Sequence, residues 1–109
     1  MNEKPKQRVL IIIPTYNERE NIQNIIPKVL DQDKRIEILV VDDNSPDGTA
    51  DEVKRLGAKT SRVHLMERPG KMGLGTAYVA GFRYALEHQY DLIFEMDADF
   101  SHNPDSIPD

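Results

Sequence analysis

One stretch restricts the fold more than any other: the apolar run Val-Leu-Ile-Ile-Ile at residues 9–13. A continuous run of this kind is typical of a strand buried on both faces, as in a parallel sheet covered by helices. A second run, residues 36–41, is interrupted only by Glu37. Both runs are far too short to cross a bilayer, so the chain has to bury them in a core of its own.

Helical patterns alternate with these apolar runs. Apolar residues recur at helical spacing over residues 22–30, and Pro27 is expected to kink or break that helix. A capping-box pattern, Asn17 followed by Glu20, is expected to begin it. Further predicted elements are helices at residues 49–57 and 76–88 and strands at residues 63–66 and 92–96. This order predicts right-handed β-α-β crossovers and a Rossmann-like α/β fold with a mostly parallel sheet and flanking helices.

Every unusual loop in this pattern follows the C-terminal end of a predicted strand. Pro14 is expected to end the first strand and open the first of these loops. The four loops are residues 14–18, 42–48, 69–75 and 97–102. Because the carboxyl ends of parallel strands meet at one edge, where open α/β sheets bind ligands, we predict that the four loops line one site.

Composition excludes several classes of function. The net charge is -5 and basic residues form no cluster, which argues against a nucleic-acid partner. There is no cysteine, which excludes disulfides, thiolate catalysis and cysteine-based zinc sites. The P-loop motif is absent, and the first strand-to-helix turn has no glycine for a dinucleotide fingerprint. His64, His88 and His102 are scattered, and we interpret them as ordinary surface or packing residues.

Two aspartates one residue apart, Asp97 and Asp99, follow the last predicted strand. Side chains two residues apart on an extended segment lie on the same side. Two such carboxylates repel each other unless a cation lies between them, and Mg²⁺ or Mn²⁺ accepts oxygen ligands of this type. The alternative is a solvated turn, in which aspartate is common. The other three loops at the same edge favour the metal site.

Other residues in these loops suit a sugar nucleotide. Tyr16 can stack on a base or ribose, and Glu18 and Asp43 can accept hydrogen bonds from either. Each also has an ordinary structural explanation. Tyr16 can pack on the helix, Glu18 can stabilise the helix N-terminus, and Asp42 or Asp43 can cap the next turn. Their placement at the same edge as the paired aspartates makes a sugar-nucleotide site the better hypothesis.

Four motifs resemble family 2 glycosyltransferases of GT-A fold, in matching order and spacing. They are Val-Leu-Ile-Ile-Ile-Pro-Thr-Tyr-Asn-Glu, Val-Val-Asp-Asp-Asn-Ser-Pro-Asp-Gly-Thr, Gly-Leu-Gly-Thr-Ala-Tyr and Met-Asp-Ala-Asp-Phe-Ser-His-Asn-Pro. Within that family the chain is most similar to dolichyl- or polyprenyl-phosphate mannosyltransferases. The resemblance implies that residues 9–109 are the nucleotide-sugar-binding donor half of a GT-A domain, truncated after the fourth strand, so that the chain is an N-terminal fragment. Residues 1–8 are expected to form a disordered leader.

The resemblance assigns the nucleoside-binding residues position by position. It implies that Pro14, Tyr16 and Glu18 contact the nucleoside. It also implies that Val41 and Asp43 lie beside the guanine and the ribose.

The resemblance likewise assigns the metal and the diphosphate. It implies that Asp97, the backbone of Ala98 and Asp99 bind them, with Asp97 and Asp99 as the catalytic pair. Ser101 stands where some relatives have a glutamine ligand, and its shorter side chain makes it a weak metal ligand. The implied cofactor is Mg²⁺ or Mn²⁺.

The activity implied by the resemblance is inverting, metal-dependent transfer of mannose from GDP-mannose to a polyprenyl or dolichyl phosphate. It implies a cytoplasmic protein, peripheral at the cytoplasmic face of a membrane. One alternative is glucosyl transfer from UDP-glucose to the same lipid class. Another is a catalytically incomplete nucleotide-binding fragment, because family members use downstream segments for the acceptor, and we expect the 109 residues alone to be inactive. Arg68 and Lys71 lie near the predicted site and could meet phosphate.

Overall fold

The computed structural model describes residues 7–70 and 73–98, and strands and helices alternate strictly through them. The elements are β1 (Val9–Thr15), α1 (Arg19–Leu30), β2 (Ile36–Asp42), α2 (Thr49–Gly57), β3 (Val63–Glu67), α3 (Leu74–Glu87) and β4 (Leu92–Glu95). The predicted α/β alternation is confirmed. In the part of the chain that the structure describes, no helix has the length and apolar character needed to cross a membrane.

The four strands form one parallel sheet in the order β3-β2-β1-β4. The chain moves outward from β1 through β2 to β3 and then returns to the other side of β1 with β4. Strand order therefore reverses between β1 and β4. In an open α/β sheet the ligand crevice lies at this reversal, beyond the carboxyl ends of the two strands. The Rossmann-like arrangement predicted from the sequence is confirmed.

Helices cover both faces of the sheet, and alternate residues of β1 point to the two sides. Ile11 and Ile13 pack in one cluster with the apolar residues of α1 and α2, whereas Leu10 and Ile12 pack in a second cluster with α3. All four side chains are completely buried. Burying a side chain of this size contributes about 1.5–3 kcal/mol relative to leaving it in water. This double burial explains why the run is apolar throughout instead of alternating with polar residues.

Two prolines lie inside regular elements. From the sequence we expected Pro14 to end the first strand and Pro27 to kink or break the first helix. β1 continues through Pro14 to Thr15, and α1 continues past Pro27. The carbonyl of Ile12 accepts a hydrogen bond from Met96 on the β4 side, and the β1–β4 ladder stops at that point. Backbone groups two residues apart face the same side of a strand, so the nitrogen of Pro14 faces the β4 side, as Ile12 does. It lies past the last paired residues of the two strands, where no N–H donor is needed.

Polar contacts close the α3 side of the sheet at the N-terminal half of β2. The carboxylate of Glu37 accepts a hydrogen bond from the Tyr90 hydroxyl at 2.8 Å, and the Nε2 atom of His64 also lies 2.8 Å away. Burial alone would raise the pKa of Glu37. The hydrogen bonds from His64 and Tyr90, with the charge of Arg8, outweigh burial and lower that pKa. His64 thus has a structural contact, at the edge opposite the predicted ligand site.

Replacing Gly81 by alanine should destabilise the fold. A Cβ at Gly81 would lie 2.7 Å from the Cγ2 atom of Ile12, so α3 would have to move away from β1. We expect a loss of about 1–3 kcal/mol in the free energy of unfolding, measured by urea titration. Gly75→Ala is the matched control, because nothing lies within 4 Å of its added Cβ, and it should be neutral or slightly stabilising. Equal stability of the two variants would contradict this packing.

Replacing Glu37 by glutamine should reduce the loss of stability on the acid side. The pKa of Glu37 is lowered from its ordinary value of 4.5. The contribution of Glu37 to stability is therefore complete above pH 4.5. It is lost as the pH falls through the lowered pKa of the folded state. We expect Glu37→Gln to cost about 1–2 kcal/mol near neutral pH and less in acid, by urea titration across pH. Parallel curves for the variant and the wild type would contradict the prediction, and Tyr90→Phe should show part of the same effect.

Candidate functional site

The C-terminal ends of β1 and β2 are joined through the carboxylate of Asp42. The hydroxyl of Thr15 donates to Asp42 Oδ1 at 2.7 Å. The backbone N–H and the hydroxyl of Ser45 donate to the same carboxylate at 3.0 and 2.6 Å. Asp42 is only 1% exposed, so it is held inside the protein by neutral donors. This is the structural capping role that the sequence offered for one of the two adjacent aspartates.

The loop after β1 is fastened to the loop after β2 by backbone donors. Asn17 N–H donates to Ser45 Oγ at 2.9 Å, Glu18 N–H to Thr49 Oγ1 at 3.1 Å, and Arg19 N–H to Asp47 Oδ2 at 3.2 Å. The capping box predicted from Asn17 and Glu20 is wrong, because α1 begins after Glu18 and Asn17 has a φ of 56°. The amides at the start of α1 are satisfied by residues 28 to 31 positions further along the chain.

The residues assigned to the nucleoside lie along the ends of β1 and β2. Tyr16 is 39% exposed just beyond β1, and Pro14 is half-buried within it. The carboxylate of Glu18 accepts a hydrogen bond from the Asn21 side chain at 2.8 Å. Val41 is completely buried in the cluster under α3, so any ligand contact at this position would involve its backbone. The roles assigned to these residues stay predictions.

Asp43 points away from Asp42 and pairs with Arg68. Arg68 Nε donates to Asp43 Oδ1 at 2.6 Å and Arg68 Nη2 donates to Asp43 Oδ2 at 2.8 Å. Both side chains are 9% exposed. The backbone N–H of Asp43 also donates to the Thr15 carbonyl at 3.1 Å. A two-bonded carboxylate–guanidinium pair of this kind fixes both orientation and charge at the end of β2.

Asp97 follows β4 and meets a side chain of α3. The hydroxyl of Tyr78 donates to Asp97 Oδ1 at 3.1 Å. Burial, with the charge of Asp97 and this hydrogen bond, raises the pKa of Tyr78 to about 12. The phenol is therefore protonated at neutral pH and acts as a donor. Met96 and Ala98 are each 3% exposed and pack on the other side of the sheet, which leaves Asp97 on the α3 side.

Part of the predicted metal site falls outside the described residues. Asp99 and Ser101 are in that part of the chain, as is Lys71. Within residues 7–70 and 73–98, no group of three or more His, Asp or Glu side chains could hold a metal ion. Mg²⁺ and similar ions commonly use one or two protein carboxylates and complete their shell with substrate phosphates and water. The half-buried carboxylate of Asp97 at the end of a strand fits that donor set.

Sequence reasoning missed two contacts at this edge, from Arg68 to Asp43 and from Tyr78 to Asp97. A signal for the second exists in the segment Gly-Leu-Gly-Thr-Ala-Tyr, because Tyr78 falls in the first turns of α3 and so near the carboxyl ends of the strands. A signal for the first is weaker. Arg68 immediately follows a strand, but nothing local identifies which of the neighbouring acidic residues it contacts.

Comparison with known proteins agrees with this geometry. The sequence model of the protein family described as "Glycosyl transferase family 2" matches residues 10–109 of this chain. The chain belongs to glycosyl transferase family 2. The family expected from the four motifs is thereby confirmed.

Two curated relatives are similar over nearly all of the chain. A polyprenol monophosphomannose synthase of Mycolicibacterium smegmatis is 51% identical over 107 residues, covering 95% of this chain and 40% of the relative. An undecaprenyl-phosphate mannosyltransferase of Micrococcus luteus is 50% identical over 101 residues, covering 93% of this chain and 42% of the relative. The chain therefore spans about two fifths of the length of these relatives.

Two solved structures share the fold. A mannosyltransferase from Pyrobaculum calidifontis, in complex with GDP-mannose and Mn²⁺, superposes with a TM-score of 0.75 at 30% identity, covering 87% of this chain and 28% of that one. The S. aureus protein TarS superposes with a TM-score of 0.69 at 23% identity, covering 85% of this chain and 28% of that one. The expected GT-A type of fold is confirmed for the part of the domain that this chain covers.

Replacing Asp42 by alanine should cost about 3 kcal/mol of stability. The change leaves the Thr15 hydroxyl and both Ser45 donors without their buried acceptor. Asp31→Ala is the control, because Asp31 is an exposed aspartate at the C-terminal end of α1, where a negative charge gains nothing from the helix dipole. Urea titration of both variants measures the difference, and a loss below about 1 kcal/mol for Asp42→Ala would contradict a structural role.

Proposed function

We propose that this chain forms the donor-binding half of an inverting, metal-dependent glycosyltransferase. The reaction is the transfer of mannose from GDP-mannose to a polyprenyl or dolichyl phosphate. The observation that carries the proposal is the identity of about 50% to two relatives named for mannose transfer to such lipids. The alternative donor UDP-glucose is not favoured, because both relatives are named for mannose and the Pyrobaculum calidifontis structure contains GDP-mannose. Residues 9–109 are the donor half in this proposal.

The nucleoside lies across the ends of β1 and β2 in this proposal. Tyr16 is exposed at the end of β1 and offers a ring on which a base can stack. Guanine presents N–H donors, and the carboxylates of Glu18 and Asp43 are acceptors. Pro14 contacts the nucleoside as well, and the backbone of Val41 lies beside the guanine and the ribose.

The diphosphate lies beyond the end of β4. Asp97, Asp99 and the backbone of Ala98 would hold Mg²⁺ or Mn²⁺ and the diphosphate, with Ser101 as a weak further ligand. The chemistry supplied by a bound metal ion would be neutralisation of the negative charge that develops on the departing nucleoside diphosphate. Tyr78 orients the carboxylate of Asp97 by donating to one oxygen. The buried neighbours Met96 and Ala98 anchor the segment that carries Asp97.

The acceptor explains how the reaction proceeds without a strong general base. A lipid phosphate is largely ionised near neutral pH because its second pKa is about 6. It is already a nucleophile, so the protein has to orient it rather than deprotonate it. A polyprenyl acceptor also requires the enzyme to work at a membrane surface, and we propose a peripheral position at the cytoplasmic face.

GDP binding by the 109-residue chain tests the proposal. We expect binding that requires Mn²⁺ or Mg²⁺ and is tighter for GDP than for UDP, measured by calorimetry. Asp97→Asn keeps the shape of the side chain but removes its charge, and it should weaken metal-dependent binding roughly 10- to 100-fold. Asp91→Asn is the control, because Asp91 lies just before the opposite end of β4 and accepts a hydrogen bond from the backbone of Arg8.

Two outcomes would count against this function. Binding of GDP that is unchanged by removal of the metal, or by Asp97→Asn, would argue against a metal site at the end of β4. Tighter binding of UDP than of GDP would favour the glucosyl donor.

A further inference from the structure

We infer that Arg68 is a positioning residue for nucleoside recognition, which acts through Asp43 and ties it to the first turn of α3. The inference rests on the proposed function, in which Asp43 contacts the nucleoside. It differs from the simpler expectation that an arginine in this loop meets the diphosphate.

The geometry of the pair supports a positioning role. Two nitrogens of one planar guanidinium bind the two oxygens of Asp43 at 2.6 and 2.8 Å. Such a two-point contact fixes the plane of the carboxylate, which a single point charge cannot do. An acceptor that is held in one orientation loses less conformational freedom when a ligand binds.

Burial keeps this guanidinium committed to Asp43. Both side chains are 9% exposed, so turning Arg68 toward a phosphate would break a buried ion pair. Breaking a buried ion pair in this way is strongly unfavourable.

The base of the arginine side chain is fixed as well. The backbone N–H of Arg68 donates to the carbonyl of Asp42 at 2.8 Å. The end of β3 is therefore held to the end of β2, beside the residue that Arg68 orients. The pair has little room to move without disturbing the sheet.

The other side of the guanidinium reaches α3. Arg68 Nη1 donates to Thr76 Oγ1 at 3.0 Å, and Nη2 lies 3.4 Å from the carbonyl oxygen of Gly73. Two residues after Thr76, Tyr78 donates to Asp97. The start of α3 thus contacts the carboxylate proposed for the metal directly, and it is linked to the carboxylate proposed for the nucleoside through Arg68. Within this connection, Arg68 orients the carboxylate of Asp43, which is the one proposed to contact the nucleoside.

Nucleotide binding to Arg68→Lys in the 109-residue chain tests the inference. Lysine keeps the charge but cannot bond both oxygens of Asp43 in one plane. We expect the affinity for GDP with Mn²⁺ to fall roughly tenfold, which corresponds to about 1.4 kcal/mol. The affinity for inorganic pyrophosphate with Mn²⁺ should stay the same, because pyrophosphate lacks the nucleoside. An equal loss for both ligands would overturn the inference and place Arg68 on the phosphates.

A double-mutant cycle shows whether the effect passes through Asp43. Arg68→Lys should have little further effect on GDP affinity when Asp43 is already Asn. Full additivity of the two changes would overturn the inference. Arg55→Lys is the control, because Arg55 also pairs with a carboxylate, that of Glu52 on α2, and it should leave GDP affinity unchanged.

Hydrogen exchange separates this inference from the proposed function. The N–H of Ala77 donates to the carbonyl of Gly73, so its exchange reports on the first turn of α3. Arg68→Lys should speed that exchange without any nucleotide present, and unchanged exchange would overturn the tie to α3. If Arg68→Lys does not fold, Arg68→Met, which has no donor on its side chain, tests the same tie by the same expected result. Failure of the wild type to bind GDP would overturn the proposed function, and with it the nucleoside role, whatever the exchange shows.

Discussion

The burial of β1 on both faces, with a parallel neighbour on each edge, determines where everything else lies. β2 and β4 pair with it, α1 and α2 cover one side, and α3 covers the other. Because β1 lies between β2 and β4, strand order reverses between β1 and β4. In an open α/β sheet, the ligand crevice lies at that point. Tyr16 and Asp97, 81 positions apart in the numbering, therefore follow adjacent strands at one edge. The candidate site is a consequence of how the core is filled.

The elements could be predicted from the sequence because their signals are local. An apolar run predicts a doubly buried strand, and helical spacing predicts an amphipathic helix. The boundaries of the helices and strands could not be predicted from local signals, because residues far away in the sequence determine them. β1 passes through Pro14 only because the ladder to β4 has already ended. The start of α1 is set by Ser45 and Asp47, which replace the local cap expected from Asn17. A local rule fails where a partner elsewhere in the chain satisfies the same donor.

The site shows the same division between local and distant information. The sequence correctly predicted a parallel sheet, in which the carboxyl ends of the strands meet at one edge. It could not tell which of Asp42 and Asp43 caps the next turn, because the two are identical in type and adjacent in the chain. Strand alternation sends them to opposite sides. Asp42 is held by the hydroxyls of Thr15 and Ser45, whereas Asp43 is held by the guanidinium of Arg68. These partners differ in charge, and that difference is visible only in the fold.

The contrast in charge bears on where a cation is needed. Asp43 and Arg68 carry opposite charges that offset each other, so the nucleoside of the proposed function, which is uncharged, can approach them without a large electrostatic penalty. At the other end, Tyr78 donates to Asp97 as a protonated phenol and leaves the carboxylate charge in place. In the proposed function a diphosphate is brought to that end, and a bound cation would offset the repulsion between its negative charges and the carboxylate of Asp97. In the proposed function, the requirement for a metal ion therefore falls on the diphosphate end, while recognition of the nucleoside would depend on a cation that the chain itself provides.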